Sequence, residues 1–227
     1  MRMKDEIDEV LHKYPKLKYI QNINSFIGCI EVFPNDFYEL KIVLTHWKKN
    51  FPKVFETACR IPRHVDRHIY PKGNFCFTTS AKEQILLATE IKTLIDFIRY
   101  ILVPYLKNNS YYEIEENYLY GEYSHDKGIF EGYAEILGVE DEKIIIKTIK
   151  EYATGFRLKL NDNCFCGSGK KLAKCKNRKH YKGYRKLRHI NNETLLADII
   201  IMESESMSKK MEFYKKLLGM KNLISKA

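Results

Sequence analysis

HIYPKGNFCF, residues 68–77, is the stretch on which the reading of the fold turns. Pro71-Lys72-Gly73 make a turn, and Cys76 follows between Phe75 and Phe77, as in an extended segment that has just left a loop. Upstream lie three runs of strand character: 20–33, YELKIVLTHW (38–47) and KVFETACRI (53–61). Pro34-Asn35-Asp36 and Phe51-Pro52-Lys53 break them, which predicts an antiparallel meander. A short amphipathic helix over 4–13, with Ile7, Val10 and Leu11 on one face, precedes it. Downstream the spacing turns helical. Residues 80–106 read as one long helix, with Ser80 as N-cap, Glu83 completing a capping box, and Pro104 kinking or ending it. A loop over 107–128 and helices over 129–138 and 141–153 follow. The fold class is α+β.

Cys76 has two readings. Cysteine is among the most buried residue types, and two flanking phenylalanines favour a core position, as the apolar strands around Cys29 and Cys59 do for those two. Against this, Cys76 lies at a loop end. Arg60, Arg63, His64, Arg67 and His68 precede it closely, and positive charge favours the thiolate.

The chain has 227 residues, enough for one sizeable core plus an appendage. Its charged, amphipathic N-terminus is unlike a secretory signal, and no apolar run reaches the length of a membrane span, so a soluble cytoplasmic protein without membrane contact is expected. Without a secretory context, its six cysteines do not imply disulfides. The net charge of +10 is concentrated: residues 157–188 hold 12 Lys and Arg against Asp162 alone, a net +11, leaving about −1 elsewhere. Such a segment suits nucleic acid or an acidic protein surface, and equally suits a solvated face around a small metal knuckle.

That knuckle is NCFCGSGKKLAKC, residues 163–175. Cys164 and Cys166, a glycine-rich turn and the returning Cys175 are what a tetrahedral zinc site requires, and Lys170, Lys171 and Lys174 offset the charge of several thiolates. The stretch closely resembles the SEC-C motif, a zinc-binding element at the C-terminus of the preprotein translocase ATPase and in many small bacterial proteins. That resemblance implies structural zinc, or zinc used in partner contact. The family normally places Cys or His directly after the third cysteine, and this chain has Lys176 there. His180 is the nearest substitute, at Cys175-x4-His180, and His189 is a weaker one. Three-ligand binding and loss of the metal stay open. A helical segment from Asn192 onward closes the chain.

The order of short helix, meander, His…Gly-x-x-Cys loop and helices resembles the ubiquitin-conjugating enzyme fold. GEYSHDKGIFEGYAEILG (121–138) is similar to a segment of its bacterial relatives, including those encoded with antiphage nucleotidyltransferases. The resemblance implies a UBC-like domain over 1–155, followed by the basic zinc knuckle over 156–190 and a C-terminal helical segment over 191–227. It implies that Cys76 takes the acyl group of a ubiquitin-like protein from an activating enzyme and passes it to an amine on an acceptor protein, such as a defence nucleotidyltransferase. His125 is then a candidate base or orienter, with Glu122 or Asp126, and His68 braces the loop. The eukaryotic enzymes carry His-Pro-Asn, whose Asn stabilises the oxyanion; here the tripeptide is His68-Ile69-Tyr70. Two other classes compete: a non-enzymatic zinc module docking nucleic acid, ribosome or an acidic protein through its basic segment, and an adaptor whose last helix recruits a partner.

Overall fold

The computed structural model describes residues 2–64, 67–119 and 128–224, with side chains through 209. The chain divides into two compact units, 1–128 and 129–227. The division falls earlier than the 155/156 boundary read from the sequence. The two helices expected to close the sheet domain instead cluster with the cysteine-rich segment and the last helix.

The first unit is α+β. Helix α1 (Met3–Lys13) leads into a four-stranded antiparallel sheet of order β1 (Leu17–Ile20), β2 (Ser25–Phe33), β3 (Asp36–Val43) and β4 (Lys53–Glu56). Of the stretch read as one strand over 20–33, Ser25–Phe33 is β2, Gln21–Ile23 is a short 3-10 turn, and Ile20 ends an additional strand, β1, so the meander has four members. Alternation along β3 sends Tyr38, Leu40 and Ile42 inward, where they meet Phe26, Ile30 and Val54. Gly28, at φ 141°, sits where a Cβ would fall 2.1 Å from the Lys16 carbonyl oxygen; only glycine lets the chain entering β1 approach β2 this closely.

The long helix is interrupted. Helix α2 (Ser80–Thr89) is capped by Thr79, one residue earlier than expected, because Thr79 takes the extended conformation and its hydroxyl accepts from Lys82 N–H. Glu83 does not close a capping box; its carboxylate turns to Phe51 N–H at 2.8 Å. After a break, Thr93 and Asp96 form a true capping box for α3 (Leu94–Phe97). A π-helical turn, Ile98–Leu102, joins α3 to α4 (Val103–Glu115). Pro104 therefore neither ends nor breaks the run: the π turn, closed by Val103 N–H on the Ile98 carbonyl, absorbs the hydrogen bond that proline cannot donate. The helix runs into the expected 107–128 loop as far as Glu115.

Buried Glu6 ties these layers together. It accepts from Trp47 Nε1 at 3.0 Å and Leu94 N–H at 2.8 Å, with Lys48 Nζ 2.7 Å from its other oxygen. One side chain thus links α1, the segment after β3 and the start of α3.

The second unit contains α5 (Gly128–Leu137), α6 (Glu142–Ala153), α7 (Lys179–Lys186) and α8 (Asn192–Ile224). Asp141 caps α6 through Lys143 and Ile144 N–H. Its core includes Tyr133, Leu137, Ile145, Ile149, Leu187 and Leu195. Tyr133 donates to buried Asp198 at 2.8 Å. No described helix is long and apolar enough to cross a membrane.

Candidate metal centre and the Cys76 loop

The knuckle begins as a tight double-backed loop. Asn163 bridges Lys171, Cys164 N–H donates to the Lys170 carbonyl at 2.8 Å, and Leu172 N–H to that of Asp162 at 2.9 Å. Leu172 is fully buried and pins this loop. The glycine-rich turn carries Cys166 back beside Cys175, their sulfurs 3.6 Å apart. After Cys175 the backbone passes through three left-handed residues, Lys176, Asn177 and Arg178, and enters α7. That reversal points position 176 away from the thiols and lets His180, in the first turn of α7, return to them.

Cys164, Cys166, Cys175 and His180 form a group whose ligand atoms all lie within 4.8 Å of one another. His180 Nδ1 is 3.2 Å from Cys164 Sγ. Its Nε2 lies 3.1 Å from the Gly138 carbonyl, which can only accept, so Nε2 carries the proton and Nδ1 presents its lone pair to the cysteines. In a tetrahedral zinc site, ligand bonds of about 2.0–2.3 Å place neighbouring donor atoms roughly 3.3–3.8 Å apart. The two distances given above, 3.2 and 3.6 Å, are close to that spacing. The four residues fit a metal ion of zinc-like preference, and the donor set is closed, with no position left for a substrate. His180 is the fourth member, and His189 is not in the group.

Two supporting residues were not legible beforehand. Phe165, between the paired cysteines, lays its ring against His180, with centroids 5.2 Å apart, and stacks on Tyr184 at 5.9 Å. Ser168 places its hydroxyl 3.2 Å from Cys166 Sγ and 3.5 Å from Cys175 Sγ. Burial raises the Cys164 thiol. At Cys166 burial acts the same way but is outweighed by the Ser168 hydroxyl and backbone N–H, which lower it.

Cys76 lies in the first unit. Phe75 packs flat on Tyr105 at 4.5 Å, and Phe77 meets Phe97 edge-on at 5.5 Å. Both flanking rings are thus spent on the core. Cys76, one residue out of phase, remains half-buried. Its N–H donates to the His68 carbonyl at 2.7 Å, and that carbonyl also accepts from Tyr105 Oη at 3.1 Å. His68, in a left-handed conformation, so closes the loop with its backbone, while its ring lies 5.5 Å from that of Tyr118. The Tyr70 hydroxyl acts on the sulfur in the direction that favours the thiolate. Asn74 instead turns its amide to the Phe75 carbonyl.

Two of the arginines expected to support the thiolate are spent elsewhere. Arg60 is held by Asp36 and Glu113, and Arg67 by Asn109, over the ring of Tyr112. Burial pushes the Cys76 thiol up, the Tyr70 hydroxyl pulls it partly back, and the Glu83 carboxylate raises it again. His125, Glu122 and Asp126 lie outside the described residues. Of the cysteines assigned to the core, Cys59 is exposed, because Glu56 accepts from Ala58 and Arg60 N–H and turns the chain out of β4. Cys29 is half-buried and lines a shallow depression with Lys16, Phe37, Glu39 and Glu56.

Comparison with protein-family models, with curated proteins and with solved structures gives no match to this chain.

Proposed function

We propose that the chain is a cysteine acyl carrier of the ubiquitin-conjugating kind, with a structural zinc ion closing its second unit. Cys76 receives the C-terminal acyl group of a ubiquitin-like protein from an activating enzyme and passes it to an acceptor amine, in a conjugation system of the type that bacteria use against phage. The observation that carries the reading is the placement of Cys76. A loop closed on the His68 carbonyl holds it after a four-stranded meander, out of phase with the core. Forming the thioester breaks the incoming acyl–sulfur bond and releases the activating enzyme's thiol; aminolysis later returns Cys76 as a thiol. In this reading Tyr70 stands where the eukaryotic tripeptide has Asn, and its hydroxyl supplies a donor. Zinc, when bound to Cys164, Cys166, Cys175 and His180, supplies folding free energy and no chemistry.

The test is expression with the neighbouring gene products, comparing wild type with Cys76→Ser by intact mass under reducing and non-reducing conditions. A wild-type adduct removed by thiol reductant, and a reductant-resistant ester in the serine variant, is the expected result. Absence of any adduct, with Cys76 alkylating no faster than Cys29, sinks the reading. Metal analysis of the purified protein should separately give about one zinc per chain, lost in Cys164→Ser.

A further inference from the structure

Helix α7 has two faces of different character. His180, Gly183, Tyr184 and Leu187 are buried and belong to the core and the metal group. The other face carries Lys179, Lys182, Arg185 and Lys186, with Lys174, Lys176 and Arg178 in the turn before it and Arg188 after it, all exposed. The second unit's ion pairs among the described residues are Lys147–Glu151, Lys150–Glu203 and Lys209–Glu142, none of them on α7. Arg178 and Arg185 instead flank the Tyr181 ring, at 5.7 and 5.6 Å from its centroid. An aromatic face orients a guanidinium without neutralising it, so both remain available to an anion.

We infer that this face docks on a nucleic-acid phosphate backbone, independently of the chemistry at Cys76. Lys182 and Arg185 lie at i and i+3 on α7, about 4.5 Å apart along its axis, and Arg178, just before the helix, joins them at the Tyr181 ring. Lys179 and Lys186 lie beside them. A phosphate backbone needs repeated cations and no apolar anchor. An acidic protein surface would need a central aromatic or aliphatic anchor on the same face. From Lys174 to Arg188 no large apolar side chain is exposed, and Tyr181 is half-buried. The helix that brings the fourth ligand to the metal group is thereby the helix that presents the charges. Rigid attachment on its inner face lowers the entropy lost when its outer face binds.

The experiment is fluorescence anisotropy of full-length protein with a labelled 20-nucleotide mixed-sequence RNA, at 50–200 mM salt. With about four phosphate contacts, the logarithmic salt slope for a single strand is about −2.8, so affinity falls roughly 50-fold across that range. The triple variant Lys182→Gln/Arg185→Gln/Lys186→Gln changes only exposed side chains; it should lose at least about tenfold in affinity and bring the slope to about −0.7. Lys147→Gln, exposed on α6, should change neither. Failure to bind RNA at 50 mM salt, or equal binding by the triple variant, overturns the inference. So does competition by poly-glutamate at a charge concentration where RNA competes equally, which would assign the face to acidic protein.

Discussion

Gly183 tests whether the metal group is built by the packing of α7 against α5. A Cβ at this position would lie 2.1 Å from the Ile136 carbonyl oxygen and 3.1 Å from Leu137 Cα. Both are backbone atoms at the end of α5, so no side chain can swing aside. To open the contact to even 3.0 Å, the two helices must part by about 0.9 Å. His180 sits three residues before Gly183 on the same buried face, with Nε2 3.1 Å from the carbonyl of Gly138, the residue after Leu137. Metal–ligand distances hold within about 0.2 Å, so a displacement of this size either breaks the Gly138 hydrogen bond or pulls Nδ1 off the metal. Gly183→Ala should therefore weaken metal binding about 10- to 100-fold and add an overpacking cost of about 1–3 kcal/mol. Competitive zinc titration against a chromogenic chelator, with cobalt substitution reporting the ligand field, measures the first; thermal unfolding of the loaded protein measures the second. Lys182→Ala, next door but exposed, should match wild type in both. If Gly183→Ala binds zinc within twofold of wild type and melts at the same temperature, the helix crossing does not position His180.

Tyr70→Phe removes the hydroxyl that partly offsets burial at Cys76, so the thiol should titrate higher still. The pH midpoint of its alkylation should move up, and an unchanged midpoint would show that the hydroxyl does not act on the sulfur. Glu6→Ala leaves Trp47 Nε1 and Leu94 N–H without their buried acceptor, at a cost of about 2–4 kcal/mol. Urea unfolding followed by the fluorescence of Trp47 reads this, and a loss below about 1 kcal/mol would contradict the role given to Glu6. Burial holds the Asp198 carboxyl above its ordinary value, with the Tyr133 hydroxyl opposing. The folded state therefore keeps that proton longer than the unfolded one, and stability declines as pH rises from the ordinary carboxyl range through the raised folded value. Asp198→Asn keeps an acceptor for Tyr133 and should flatten this slope; urea midpoints with the same slope as wild type would count against it.

The later part of the meander could be read in advance because its strands carry their own punctuation, Pro34-Asn35-Asp36 and Phe51-Pro52-Lys53; the reversal at Gln21–Ile23 between β1 and β2 carries none and was not read. Helix edges were read less well, because the competing signals are close in energy. Thr79 and Ser80 are both good caps, and only the backbone decides between them. Pro104 misled because its cost depends on the hydrogen bond it deletes, and a π turn removes that cost. At the knuckle, Cys164, Cys166 and Cys175 were legible from spacing, and His180 followed as the nearest imidazole. Its hold on Gly138, forty-two residues upstream, was not, because it depends on how α7 crosses α5. The setting of Cys76 depends on the same kind of placement. Sequence proximity placed five basic residues near the thiol, while the fold gave Arg60 and Arg67 to partners on other elements.

A raised thiol is compatible with an acyl carrier, given how its two tasks weigh against each other. Below the pKa, each unit of increase lowers the thiolate fraction tenfold. The thiolate that remains is more nucleophilic, by about threefold per unit for a Brønsted coefficient of 0.4–0.5. The net loss in attack rate is then only about threefold per unit, a factor that a high local concentration of the docked donor readily offsets. Departure is affected in the opposite sense. A more basic thiolate leaves more slowly, so the thioester resists water for longer and waits for an amine held in position. In the carrier proposed above, burial of Cys76 beside the loop closed by His68 would favour retention of cargo over speed of loading. The Tyr70 hydroxyl works against that bias. It stabilises the thiolate both when Cys76 attacks and when it departs, so Tyr70→Phe should slow loading and discharge together while lengthening the survival of the adduct in water. A Tyr70→Phe protein that loads more slowly but discharges at the wild-type rate would separate the two steps and remove the hydroxyl from the second.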